Sequence, residues 1–447
     1  MASASLFLLA LPVFLYIFTT LSAGSNNSTS FKHSRSTLAS NKILTFPVFH
    51  IGKFFNNHSQ SLSLERFRLQ NDQKLKDWMP LPFEVNLPLY VVPRTGEYFV
   101  QLNVGSQHVN LLLDNGSPLV WWQCSPCEPC FAQRYNSAYD PSLSTSYKPI
   151  SCSSGWCDKT KYSFVDVCKN DQCQYSISYA DKSYTAGTLA RDFISNDNGM
   201  LNKSIAFGCG NKNEGLFEGF YDGILGFHHH KYSFPDQIEA HKYSFCLIAA
   251  QSNFDGIIRE RTNNAPLYLY DFPDLNQNTT FVVTLPHLGL HYVEFRGIKI
   301  NGKMVPVNTK YWKRGRTGRY GVILDTGTRI TRFPKNVYNE IRDSFKRSVT
   351  GKKHIIKLGI MDTCFYSMSN PVKYIPKVHL CFGGEERELQ LAPEHIMVKG
   401  GDDVYCLAFS SLDTNDDVTI IGSHQLQNTR LSFDMLVMSV SFTPNDC

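Results

Sequence analysis

Two things are missing from this 447-residue sequence once its N-terminal segment is passed. No later stretch reaches the roughly 18 consecutive apolar residues that a membrane-spanning helix needs, so no membrane span is expected. No block of Lys and Arg interleaved with aromatics occurs either. The net charge of +5 is spread along the chain, which argues against a nucleic-acid partner. Helical patterns are scarce. Charged residues make up 19% of the chain and apolar ones 42%, the balance of a globular protein rather than a disordered one. The length allows two or three domains.

What is present begins with a short apolar run, Leu6 to Phe18, followed by Thr19-Thr20-Leu21-Ser22-Ala23-Gly24. The run is too short for a comfortable span and ends in small residues, as a secretory signal peptide does. Residues 1–23 are therefore read as a cleaved signal. The expected location is secreted, luminal or extracellular. There are 13 cysteines, and in a secreted chain most should be paired. Cys124-x-x-Cys127-x-x-Cys130 has a spacing that zinc also uses, but an oxidising compartment favours disulfides, so no metal is expected. Adjacent side chains such as His228-His229-His230 rarely point the same way; a solvated, pH-responsive loop is expected there. Asn-x-Ser/Thr sequons lie at Asn26, Asn27, Asn57, Asn115, Asn202 and Asn278. Asn202 and Asn278 are expected glycan acceptors, whereas folding should shield Asn115.

Two strings repeat one chemical idea. Leu111-Leu112-Leu113-Asp114-Asn115-Gly116-Ser117 and Val322-Ile323-Leu324-Asp325-Thr326-Gly327-Thr328 each run apolar, apolar, apolar, Asp, x, Gly, hydroxyl. A buried strand that ends in Asp-x-Gly pushes a carboxylate out of the core on a tight turn. One such turn is ordinary. Two, each followed further on by two apolar residues and a glycine (Ile224-Leu225-Gly226 and Ile420-Ile421-Gly422), point to a duplicated fold that brings two carboxylates together. Two facing carboxyl groups cannot both ionise, so one keeps its proton while the other acts as a base. Ser117 and Thr328 supply hydroxyls that can hold the carboxylates.

From residue 97 onward, short β-branched and aromatic runs are broken by Gly, Pro, Asn and Asp every eight to twelve residues or so. Tyr98 to Val104, Val109 to Leu113, Tyr175 to Tyr179 and Gly321 to Leu324 read as strands. Val337 to Arg347 reads as a helix, with Pro334 just before it. In Lys377-Val378-His379-Leu380-Cys381-Phe382 the apolar positions 378, 380 and 382 alternate, so Cys381 is expected to point away from the core with His379. Residues 24–90 differ: they are Ser- and Asn-rich, then basic with a helical pattern.

These motifs resemble the pepsin-like aspartic proteases, specifically their plant nepenthesin-like branch. The resemblance runs from about Gly96 to Cys447 and takes in Gly96-Glu97-Tyr98, Trp121-Trp122-Gln123-Cys124, Phe207-Gly208-Cys209-Gly210, Ile420-Ile421-Gly422 and the cysteine-rich insert from Cys124 to Cys173. It implies an all-β, bilobal fold with a few short helices and a substrate cleft between the lobes. The lobes would span 91–285 and 286–447, and 24–90 would be a propeptide whose basic residues cover the acidic site. It implies Asp114 and Asp325 as the catalytic pair, supported by Asn115, Gly116, Ser117, Thr326, Gly327 and Thr328. The stretch Ser178 to Thr185 resembles the family's flap, a hairpin over the substrate. Tyr179, Asp181 and Ser183 would then face the cleft, with the Tyr179 hydroxyl bonded to the Trp121 indole. Six disulfides are implied, with Cys381 left over.

Three departures stand out. Asn115 replaces a Thr or Ser whose hydroxyl cross-links the two turns, and Ala180 and Lys182 replace flap glycines. The expected function is a secreted aspartic endopeptidase, made as a zymogen, monomeric, without cofactor, acting on protein or peptide substrates. The alternative is a catalytically weak or inactive homologue that binds proteins, such as an inhibitor of a foreign hydrolase. A two-carboxylate glycosidase is a third class, which the Asp-x-Gly turns and the Tyr179 flap argue against.

Overall fold

The computed structural model describes residues 85–91, 97–217, 219–248, 265–269, 279–283, 290–315, 318–349, 355–366, 373–383, 387–401, 404–445 and 447. The expected signal segment, Asn278, the expected lobe boundary at 285 and nearly all of the expected propeptide lie outside these residues. Strands dominate, as the short broken runs foretold. The longest helix, Lys335–Ser348, begins directly after Pro334 and buries Val337, Tyr338, Ile341 and Phe345 on one face. That spacing of three to four residues is the helical stripe read from the sequence.

Each Asp-x-Gly turn is built by the same small unit. The strand Gln107–Asp114 lies parallel to Gly223–Gly226, with Asp114 opposite Gly226. The strand Val322–Asp325 lies parallel to Thr419–Gly422, with Asp325 opposite Gly422. Both glycines are required by close approach. A Cβ on Gly226 would stand 2.6 Å from the Ser117 carbonyl oxygen, and one on Gly422 would stand 2.6 Å from that of Thr328. The paired sequence motifs are thus two copies of one packing unit, in which a glycine strand backs an Asp strand.

The two halves join through one large sheet. Lys242–Cys246 from the first half pairs with Thr429–Asp434 from the second. Within that join, Lys242 Nζ meets Asp434 Oδ2 at 2.8 Å, with both side chains buried. Val85–Val91 lies between Ala265–Leu269 and Tyr98–Val104. This strand begins before residue 90, the expected end of the propeptide.

Six disulfides form: Cys124–Cys209, Cys127–Cys130, Cys152–Cys168, Cys157–Cys173, Cys246–Cys447 and Cys364–Cys406. Cys381 is the free one, as expected, and it lies on the face opposite the core residues Val378, Leu380 and Phe382, but that face is covered. It is fully buried, as are Val378, Leu380 and Phe382. The reason is its strand's position inside a four-stranded sheet, between Phe295–Ile300 and Glu388–Leu391. Gly297 and Glu388 are its cross-strand partners, and a Lys299–Glu388 ion pair lies over that face. Long charged side chains cover a small thiol readily. Burial pushes the Cys381 thiol up, which keeps it protonated and unreactive. Native protein should therefore yield no titratable thiol, and denatured, unreduced protein should yield one. A thiol that reacts in the native state would contradict this burial.

Candidate active site

The two turns bring Asp114 and Asp325 close together, each carboxylate lying against the glycine of the opposite turn. Gly116 N donates to Asp114 Oδ1 at 2.8 Å, and Gly327 N donates to Asp325 Oδ1 at 3.0 Å. Each glycine also presses on the opposite carboxylate. A Cβ on Gly116 would stand 2.8 Å from Asp325 Oδ1, and one on Gly327 would stand 2.7 Å from Asp114 Oδ1. Any side chain there would push the pair apart.

The outer oxygens are held unequally. Thr328 Oγ1 donates to Asp325 Oδ2 at 2.7 Å. Ser117 does not do the same for Asp114. Its Oγ donates over a long 3.5 Å to the Leu119 carbonyl and lies 3.4 Å from the Tyr179 hydroxyl. The Tyr179 tip offers Ser117 a second polar neighbour, so the expected symmetry of the two hydroxyls fails.

Burial is the first cause that raises the Asp114 pKa well above the ordinary carboxylate range. The charge of Asp325 adds to it, the Gly116 N–H opposes it, and hydrogen bonding towards Asp325 and the charge of Glu97 raise it further. The pair titrates as a unit. Asp325 accepts from two donors, Gly327 N and Thr328 Oγ1, and Asp114 from Gly116 N.

Beneath the pair, Asn115 and Thr326 cross-link the two turns. Asn115 N donates to Thr326 Oγ1 at 3.1 Å, and Thr326 N donates to Asn115 Oδ1 at 2.6 Å. Thr326 Oγ1 in turn donates to the Leu113 carbonyl at 2.9 Å. The amide oxygen of Asn115 thus fills one half of the role a hydroxyl would play. Its orientation is fixed by the Thr326 N–H, which needs an acceptor. The amide nitrogen, Nδ2, is buried with no hydrogen-bond partner. An unsatisfied buried donor costs about 1–3 kcal/mol. Asn115→Thr removes it and restores a hydroxyl on both sides. The expected outcome is a higher turnover number and a higher Tm together, with KM little changed, because position 115 faces the turns. A fall in both quantities would mean that the site has adapted around Asn115.

The flap forms as expected. Gln172–Ser178 and Tyr184–Ser195 make a hairpin, and Trp121 Nε1 donates to the Tyr179 hydroxyl at 2.7 Å. Asp181 and Ser183, expected to face the cleft, bond to each other. Asp181 Oδ1 accepts from Ser183 N at 2.9 Å and Oδ2 from Ser183 Oγ at 2.8 Å. Ser183 is buried, and its Oγ also accepts from Leu216 N at 2.9 Å. The two residues brace the flap turn. Lys182 takes φ +73°, a left-handed conformation in which a residue with a Cβ is strained. The backbone keeps the glycine geometry, and the side chain bears the strain.

Of the histidine run, expected as a solvated loop, only His229 is exposed. His228 is buried, and its N–H donates to the Ser117 carbonyl at 3.2 Å, directly behind the first turn. His229 pairs with Asp236 at 3.3 Å, and His230 stacks near Tyr232. No local pattern signals this, because the contact with the first turn comes from a distant element.

Sequence reasoning also missed an aromatic wall. Phe217 meets Trp121 edge-on at 5.5 Å, and Phe131 lies 4.8 Å from Phe217. Leu216 beside them is 73% exposed. An apolar surface next to a dyad and a flap suits an extended peptide with apolar side chains. The glycine-flanked run Gly215-Leu216-Phe217-Glu218-Gly219-Phe220 was the available signal.

Comparison with known proteins agrees with this geometry. Residues 98–259 match the family described as Xylanase inhibitor N-terminal, and residues 291–444 match Xylanase inhibitor C-terminal. Aspartyl protease family protein 2 of Arabidopsis thaliana is 34% identical over 363 residues, which cover 79% of this chain and 71% of that protein. Aspartic proteinase nepenthesin-2 of Nepenthes gracilis is 26% identical over 366 residues, covering 81% of this chain and 80% of that one. Among solved structures, the crystal structure of edgp superposes with a TM-score of 0.64 at 18% identity, covering 82% of this chain and 96% of that one. Basic 7S globulin from soybean gives 0.62 at 18%, with 80% and 94% covered. At that identity the structures establish a shared fold.

Proposed function

The chain belongs to the pepsin-like aspartic protease family of plants, and from that premise we propose that it is an active aspartic endopeptidase. The observation that carries the proposal is the placement of Asp114 and Asp325 on mirrored turns, each carboxylate against the glycine of the other turn. A water held between the carboxyl groups loses a proton to Asp325 as it attacks the peptide carbonyl. Asp114 donates its proton to the carbonyl oxygen as charge develops there. A tetrahedral diol results. Its collapse passes a proton to the leaving nitrogen and breaks the C–N bond. No covalent enzyme intermediate forms.

Tyr179, held by Trp121, closes over the bound peptide, and the wall of Phe131 and Phe217 takes an apolar side chain. Secretion, a monomeric state and removal of a basic propeptide belong to the same proposal. Because Val85–Val91 is part of the joining sheet, the mature N-terminus falls before Val85 if that strand is kept after processing.

A second reading is a protein-binding homologue of weak or no activity. The orphaned Asn115 amide and the turned Ser117 hydroxyl favour it. Casein digestion at mildly acidic pH separates the two. Cleavage that pepstatin blocks is the expected result, and a folded, processed protein that cuts nothing supports the second reading.

A further inference from the structure

Arg329 stands four residues after Asp325, with its side chain exposed. Its backbone is pinned: its carbonyl accepts from His424 N at 2.9 Å, and a Cβ on Gly422 would stand 2.6 Å from that carbonyl oxygen. The guanidinium therefore springs from a fixed point beside the second catalytic turn. From the first lobe, Glu97 and Tyr98 act on it electrostatically. Glu97 also acts on Asp114. Tyr98 marks the place where the halves meet, since its hydroxyl donates to the Ile248 carbonyl and accepts from Gln427 Nε2 at 3.1 Å. A permanent cation from one lobe and a carboxylate from the other thus act on each other, and the carboxylate also acts on the dyad.

Neither residue takes part in the acid–base chemistry described above. Arg stays charged at any working pH, and its planar fork matches a carboxylate. A charge-assisted pair of that kind is stronger than a neutral hydrogen bond. We propose that Arg329 is a specificity-determining residue, which receives an Asp or Glu side chain of the bound peptide at one position near the scissile bond. Glu97 tempers this preference, because its charge acts on Arg329 and repels the incoming carboxylate. The proposal rests on the reading of the cleft as a peptide-binding site.

The test pairs cleavage with binding, so that failure of either reading can be told apart. Processed protein is given a set of matched peptides in which each position flanking an apolar cut site carries Asp, Glu, Asn or Gln in turn. Cleavage sites and rates are read by mass spectrometry at about pH 5.5, where peptide carboxylates are ionised. Binding of the same peptides to the Asp325→Asn protein is read by fluorescence anisotropy. The expected result is a preference of about tenfold for the acidic over the amide side chain at one position, in both assays. Arg329→Ser should remove it, Arg329→Glu should reverse it, and Glu97→Gln should enlarge it. The preference should fade below about pH 4 as the peptide carboxylates take up protons. Binding with the charge preference but no cleavage by the unmutated protein would sink the endopeptidase reading and leave this proposal standing. Cleavage or binding without charge preference, a profile unchanged in Arg329→Ser, or no peptide binding at all would overturn it.

Discussion

Asp114→Asn and Asp325→Asn are each expected to abolish casein cleavage while leaving the fold in place. An amide at position 114 can no longer give a proton to the carbonyl oxygen. An amide at position 325 can no longer take one from water. A positioned general acid or base contributes about 10²–10⁴-fold, and here each residue is half of a single device, so loss of one disables both steps. The surroundings tolerate the change. In Asp325→Asn the new amide oxygen still offers an acceptor to Gly327 N or to Thr328 Oγ1, whichever it is turned towards. Kinetics on a peptide substrate, together with a circular dichroism melt, check both halves of the expectation. Retention of most activity in either variant would show that the pair has been misassigned.

The second large effect concerns acid. His291 and His424 are buried, and burial lowers each pKa from 6.5 to about 3. The charges of His229 on His291, and of His395 and Arg329 on His424, push in the same direction. Both ring nitrogens of His291, and Nε2 of His424, have no hydrogen-bond partner. A folded-state pKa below the unfolded one means that the unfolded chain binds the extra protons. The stability contributed is therefore complete above pH 6.5 and is lost as the pH falls towards 3. Near pH 5 the loss is about 2 kcal/mol for each histidine.

The location of these residues makes the loss functional. The His291 carbonyl accepts from Leu324 N, and His424 N donates to the Arg329 carbonyl, so each is tied to the second catalytic strand or its turn. His291→Phe keeps a ring against Phe433 and takes away the proton uptake. Its Tm at about pH 4 should exceed that of the unmutated protein by about 6 °C, while the two agree closely at about pH 7. An equal shift at both pH values would mean that packing, not protonation, is responsible. Asp114 acts in the opposite sense. Its raised pKa favours the folded state at low pH and is a growing penalty as the pH rises above the ordinary carboxylate range. The working window is thus bounded on the acid side by histidines and on the alkaline side by the dyad.

Much of the site was legible because its chemistry is local. Asp-x-Gly after an apolar strand marks a turn whatever surrounds it, and the paired Ile224-Leu225-Gly226 and Ile420-Ile421-Gly422 supplied the backing strands. Tyr179 and Trp121 were joined through the flap resemblance. What escaped was decided by partners far away in the chain. Cys381 alternates like an outward residue, but the Lys299–Glu388 pair covers it. Ser117 matches Thr328 in sequence, yet the Tyr179 hydroxyl stands beside it and no equivalent stands beside Thr328 among the hydrogen bonds of the described residues. His228 reads as part of a polar run, but the first catalytic turn lies against its backbone. Asp181 and Ser183 sit at the flap tip as expected and turn their polar atoms onto each other.

The most direct test of the central claim is kcat/KM on one peptide substrate from about pH 3 to about pH 7, measured with and without pepstatin on folded, processed protein. A pair sharing one proton predicts a bell: activity highest at mildly acidic pH, falling towards neutrality as the shared proton leaves, and absent throughout when pepstatin is bound. Activity that persists undiminished at neutral pH, or that pepstatin leaves untouched, would contradict the dyad mechanism.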